Sequence, residues 1–187
     1  MDKATLRRAA RPKVFVASRD DHNAGVLSGE WIDAAQDDLD VELAIALILA
    51  LAKTNDEAED WVILDYDGFG QYRVKRDEWI EDVSAVARGI VEYGEAYAAW
   101  VNECDPEYVN DHAGFLASYA GAWPGLAEFA AQEWAECGYP SLSYEDIGGA
   151  SEHIRVDYES FGKALLSEGH IEIAYHDHGV WVFRTHR

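Results

Sequence analysis

Charge is placed unevenly along this 187-residue chain, and no other feature constrains its folding as much. Residues 1–13 hold Lys3, Arg7, Arg8, Arg11 and Lys13 against Asp2 alone, whereas the rest of the chain carries 35 acids and 10 bases, a net −25. A body this anionic repels nucleic acid, anionic membranes and phosphate-rich ligands, and attracts proteins built to grip DNA. It is not a disordered acidic tail. Apolar residues make up 49% of the sequence, with seven Trp, ten Tyr and six Phe, which is enough for packed cores.

The run Leu43 to Ala52 is about half the roughly 20 apolar residues that span a bilayer, so it reads as a buried helix rather than an anchor. The arginines near the N-terminus are followed by no apolar stretch of the kind a signal peptide needs. Cys104 and Cys137, with no CxxC, fit a reducing cytoplasm. No membrane or nucleic-acid partner is expected.

Residues 1–13 read as a basic, disordered arm, with Lys13 to Ser18 (KVFVAS) entering the first strand. Asp21 to Gly29 is a polar loop before the apolar pair Trp31 and Ile32. Asp40 is the expected N-cap of a helix that carries Glu42 in its first turn and Lys53 in its last, apolar nearly all round and therefore buried. Trp61 to Tyr66 (WVILDY) is a second strand, and Gln71 to Val74, after Gly68 and Gly70, a possible third.

From Asp77 the period changes. Ile80, Val83, Ala87, Ile90, Tyr97 and Val101 recur at helical spacing, which puts Glu78, Glu81, Asp82, Glu92, Glu95 and Glu103 within about 140° of arc on the opposite face. Gly89 and Gly94 are the places where this segment could split in two. Cys104 to Asn110, with Pro106, is a linker. Leu126 to Cys137 is a helix stopped by Gly138 and Pro140, and its apolar arc of Phe129, Ala130 and Trp134 also contains Glu133, either at a wet rim or paired across an interface. Residues 154–158 read as a strand and Phe161 to Ser167 as a helix. His170 to His176 and Val180 to Arg184 form a hairpin whose turn places Gly179 where a positive φ is needed.

Catalytic signatures are absent: there is no GxGxxG, Walker loop, GxSxG or HExxH. His176, Asp177 and His178 suit a hairpin turn better than a metal site, and Asp65, Asp67 and Gly68 lack the remaining ligands of a calcium loop. No cofactor, metal or enzymatic activity is expected.

Several words in the chain are recognisable. VFVAS (Val14 to Ser18), then Asn23, Ala24, Gly25 and Gly29, Glu30, Trp31, resembles the opening of the ArdA antirestriction family. WVILDYD (Trp61 to Asp67) is similar to that family's apolar, Asp-Tyr-acid segment, and Tyr158, Phe161, Gly162, His178 and Gly179 to its C-terminal pattern. The resemblance implies an α+β fold: an elongated chain of three small domains, two mixed α/β units (14–76 and 111–187) flanking a helical middle (77–110). It also implies dimer contacts in the C-terminal domain and carriage on mobile elements. The function it implies is mimicry of double-stranded DNA, occupying the DNA-binding groove of type I restriction-modification enzymes at their methyltransferase core. The family's antirestriction segment maps to Phe129 to Tyr139, with Phe129, Glu133, Trp134 and Glu136 as candidates.

Charge density tests the implication. A protein of 20.9 kDa has about 9,000 Å² of surface, so its net −21 spread evenly gives about one charge per 430 Å², against roughly one per 110 Å² on B-DNA. Mimicry therefore requires the acids to be segregated. The 77–111 segment, with ten acids and Arg88 as its only base, is the place for it. The candidate phosphate mimics are Asp37, Asp38, Asp40, Asp77, Glu78, Glu81, Asp82, Glu92, Glu95, Glu103, Asp105, Glu107 and Asp111. Rival readings are a module binding other basic proteins and a halophile-adapted domain of another function.

Overall fold

The computed structural model describes residues 11–55, 57–137 and 156–185. It is mixed α+β, with seven helices and two three-stranded antiparallel sheets among those residues, and it divides into two compact units between Ala113 and Gly114.

The first unit is built on β1 (Lys13–Ser18), β2 (Glu30–Asp33) and β3 (Trp61–Asp67), in the order β2-β1-β3. Alternation in β1 buries Val14 and Val16, and Ala17 is buried with them. Between Phe15 and Val16 the β1–β3 register shifts, so that Leu64 is a bulge residue and Asp65 to Asp67 continue past it with their side chains exposed. Residues 1–10 lie outside the description, but the end of the expected arm is fixed. Arg11 pairs with Asp33 at 2.6 Å, and Lys13 sits 4.8 Å above the Trp31 ring.

The Asp21 to Gly29 loop is more structured than its polarity suggests. Arg19–Asn23 forms a short helix, α1, which turns Asp21 fully inward. Its carboxylate accepts from Ser28 Oγ, from Thr54 Oγ1 at 2.6 Å, and from the backbone N–H groups of Lys53 and Thr54 at 2.9–3.0 Å. The Ser28 and Thr54 hydroxyls, then the two amides, hold it far below the usual carboxylate range against the opposing effect of burial.

The next helix, α2 (Asp38–Ala50), begins with Asp37 rather than Asp40 as its cap, and ends before Lys53. It packs on β1 and β2. The expectation that it is buried all round is wrong. Val41 and Ile45 face the sheet, whereas Leu39, Leu43, Leu47 and Leu51 are each more than half exposed. A helix laid on the surface of a small sheet has neighbours for part of its circumference only, whatever its composition. Gln71 to Val74 is not a strand either. The buried side chains Tyr72 and Val74 alternate, but the segment makes no ladder: Tyr72 Oη and Lys75 N both donate to Glu78.

The acidic segment forms α3 (Ile80–Tyr93) and α4 (Glu95–Cys104), broken at Gly94 (φ 79°). Gly89 stays inside α3 because Tyr97 lies against it: a Cβ there would stand 2.2 Å from the Tyr97 ring. Tyr97 is buried and donates from Oη to Val109 O at 2.7 Å, which ties down the loop after α4. Burial, then the nearby Asp111, raises its phenol pKa.

The boundary between the units falls within α5 (His112–Ser118), which with β4 (Tyr119–Trp123) the sequence did not announce. Strands β4, β6 (Gly179–Arg184) and β5 (Ile171–His176) lie in the order β4-β6-β5. Helices α6 (Leu126–Glu136) and α7 (Tyr158–Ser167) pack together at Gly162, where a Cβ would meet Leu126 Cγ at 2.7 Å. The core gathers Phe129, Ile171, Val180 and Val182. The hairpin forms, but its turn is Asp177 and His178 alone: Gly179, at φ 146°, is the first residue of β6, paired with His176, and a Cβ there would stand 1.9 Å from Trp123 O. Tyr158 opens α7 under an Asp157 cap instead of closing a strand; residues 154 and 155 of that expected strand, and the Gly138 and Pro140 stop, lie outside the described residues.

Candidate partner-binding surface

All thirteen candidate phosphate mimics belong to the first unit, and twelve of them are exposed. Glu78 is the exception, turned inward onto Tyr72 and Lys75 N at the start of α3. It caps the turn and is spent there.

The expected single arc is replaced by three groups. Asp37, Asp38 and Asp40 stand at the N-terminus of α2, where the helix dipole stabilises them. Glu81, Asp82 and Glu92 lie on the solvent side of α3, opposite the buried Val83, Val86, Ala87 and Ile90. Glu95 and Glu103 lie on α4, after the Gly94 break has reset the helix axis, with Asp105, Glu107 and Asp111 in the loop beyond.

The first two groups are joined. Arg88 of α3 reaches α2 and donates to Asp38 Oδ1 at 2.7 Å and Gln36 O at 3.1 Å, and Asp38, Glu42 and Glu81 line one cleft between the helices. The only base in the 77–111 segment is thereby used within the unit. Some acids are also engaged: Asp77 pairs with Arg19 at 2.6 Å, and Glu92 lies 3.4 Å from His112 Nδ1. Glu42, on the same side of α2 as Asp38 four residues before it, belongs to this surface; the i,i+4 spacing was the signal for it.

The candidates of the antirestriction segment fall in the second unit and are largely committed to its own packing. Phe129 is in the core, edge-on to Trp123 at 5.6 Å, and Trp134 is edge-on to Phe161 at 5.2 Å. Glu133 has its carboxylate paired within the chain. It accepts from both guanidinium nitrogens of Arg184, at 2.8 and 2.6 Å, which lowers its pKa. Glu136 is exposed at the end of α6.

No described helix is long and apolar enough to cross a membrane, and no cluster of three or more metal-ligating side chains occurs among the described residues. At the hairpin, His176 Nδ1 accepts from His178 N at 3.2 Å while its ring stacks on Trp181.

Against this geometry, the family model for the antirestriction protein ArdA matches residues 14–180. The chain belongs to the ArdA antirestriction family. The match starts at Val14, the second residue of β1, and leaves the basic arm outside. A search of curated proteins found no match. ArdA membership implies an antirestriction protein, interacting with restriction enzymes, rather than a member of a known enzyme family.

Proposed function

We propose that this ArdA protein acts as a homodimer that mimics double-stranded DNA and inhibits type I restriction-modification enzymes by occupying the DNA-binding groove of the methyltransferase core. The observation that carries this reading is the acidic surface of the first unit: exposed carboxylates on α2, α3 and α4, with Arg88 neutralised by Asp38. A dimer of net −42 has the charge of about 70 Å of duplex, or about 20 base pairs, a length suited to a target read in two parts.

Binding of this kind is distributed. Each exposed pair adds little, so Glu92→Gln or Asp82→Asn alone should change affinity less than about fivefold. Neutralising Glu81, Asp82, Glu92, Glu95 and Glu103 together should weaken it by a factor of about 5 to 5,000. The measurement is competition with duplex DNA for a purified type I methyltransferase core at two salt concentrations, with sedimentation of the free protein to test the dimer. A folded single variant with no activity, beside an active five-fold variant, would overturn the distributed mimic. Inhibition of unrelated basic proteins with equal potency would favour a generic acidic module.

A further inference from the structure

The first unit also carries a concave surface that charge mimicry alone does not call for. A groove of about 540 Å³ lies between α2 and the segment leading into α3. Leu49, Trp61 and the buried Ile45 give it an apolar lining, and Trp79 lines it with 76% of its surface exposed. Its rim is acidic. The single base lining it, Arg19, is held by Asp77 at 2.6 Å and by Trp61 O at 3.1 Å. Glu42, Glu59 and Glu81 make no ion pair among the described residues.

We infer that this groove seats a cationic, amphipathic segment of the protein partner, with one large apolar side chain against Ile45, Leu49 and Trp61 and flanking Lys or Arg residues on Glu42, Glu59 and Glu81. The occupant follows from charge complementarity: the apolar lining demands an apolar group and the rim demands cations beside it. Trp79 supplies an indole face over which one of those cations sits. The inference rests on the proposed reading only in taking the partner to be a DNA-binding protein.

The groove gives the mimic a contact that a phosphate backbone lacks. A phosphate rail offers an approaching basic segment charge and hydrogen-bond acceptors but no apolar surface, and the charge attraction is screened within about 8 Å at physiological salt. Apolar burial is not screened, so an inhibitor that adds it can outcompete the nucleic acid it imitates.

Two short peptides test this on the intact chain, each a run of alternating Lys and Arg, one with Leu and one with Gly at its centre. Binding is followed through the indole signals of Trp61 and Trp79 in isotope-labelled protein, at about 0.15 M and 0.5 M salt. The Leu peptide should bind about tenfold more tightly, at one site, and keep that advantage at the higher salt. Trp79→Ala, at an exposed side chain, should weaken the Leu peptide more than the Gly peptide. Combined Glu42→Gln, Glu59→Gln and Glu81→Gln should weaken both alike.

Equal binding of the two peptides, or signals perturbed away from the groove, would overturn the inference. So would indole shifts that track protein concentration without peptide, since these would place a second copy there. The same preparations are titrated in parallel against the methyltransferase core. Discrimination between peptides without inhibition of the core sinks the restriction reading and leaves the groove, whereas inhibition with indiscriminate peptide binding does the reverse.

Discussion

Asp21 in the first unit and Glu133 in the second are both carboxylates taken largely out of water, and each unit keeps its own ionised by a different means. Asp21 is fully buried with no cation against it; hydroxyl and amide donors from Ser28, Lys53 and Thr54 converge on it. Glu133 keeps 14% of its side chain exposed and meets one cation, Arg184, whose own side chain is 42% exposed, beside a weak bond from Cys137 Sγ at 3.6 Å. Asp21 fastens two loops around its own charge, and its truncation releases several donors at once. Glu133 and Arg184 fasten α6 to β6 by a pair that can be removed together.

Three experiments press on that contrast. The largest effect is expected from Asp21→Ala, which leaves two hydroxyls and two backbone amides without their acceptor; the first unit should melt on the order of 10 °C earlier by calorimetry. Asp21→Asn should cost less, because its amide oxygen can keep the donors of Lys53 and Thr54 while its NH2 donates to the Ser28 hydroxyl, which also accepts; what is lost is the charge. Undiminished stability in Asp21→Ala would mean that the loops are held by something else.

Next in size, Arg184→Ala should cost about 1–2 kcal/mol in the second unit by denaturant unfolding, a figure reduced for the exposure of the guanidinium. The double variant Glu133→Gln with Arg184→Met should recover part of that loss, because no buried charge is then left unpaired. A double variant as unstable as the sum of its singles would show that the two side chains act independently.

The smallest effect is the response to acid. A carboxyl whose folded pKa lies below its unfolded value stabilises the fold above about pH 4, and that contribution is lost as the pH falls through the unfolded value toward the folded one. Both groups are shifted in this direction, Asp21 by hydroxyls and amides and Glu133 by Arg184. Unfolding monitored between about pH 5 and pH 2 should therefore show declining stability in both units, with the decline in the first flattened by Asp21→Asn. A first unit indifferent to pH over that window would contradict the ionised, donor-held Asp21.

The same two residues mark how far the sequence could be read. The strands around Val14 to Ser18 and Trp61 to Asp67, the hairpin at Gly179 and the helix from Leu126 were legible, because local alternation, helical period and a glycine flanking the turn determine them. Asp21 was not, since a polar residue in a Gly-containing loop carries no sign that donors 32 and 33 residues away will close on it. Arg184 was hidden from Glu133 in the same way, 51 residues off. Strand β4, reading Tyr-Ala-Gly-Ala-Trp, has little strand-forming character of its own and is held by pairing with β6. The acidic surface was legible as composition, as an α3 face and in Gly94 as one of two places where the segment could split; that the break falls there and not at Gly89, and the recruitment of α2 through Arg88, are tertiary facts.

The exposed ridge of Leu39, Leu43, Leu47 and Leu51 gives this molecule the character of a charge-stabilised colloid. At low ionic strength copies repel one another and the leucines stay solvated. Raising salt from about 0.1 M to 1 M contracts the range of that repulsion from about 10 Å to about 3 Å, while the ridge keeps its full tendency to leave water. A salt titration of inhibition therefore acts on two equilibria, the release of the target and the meeting of ridges. Light scattering recorded in the same titration separates them, and Leu43→Gln with Leu47→Gln should abolish the scattering while the salt dependence of binding persists.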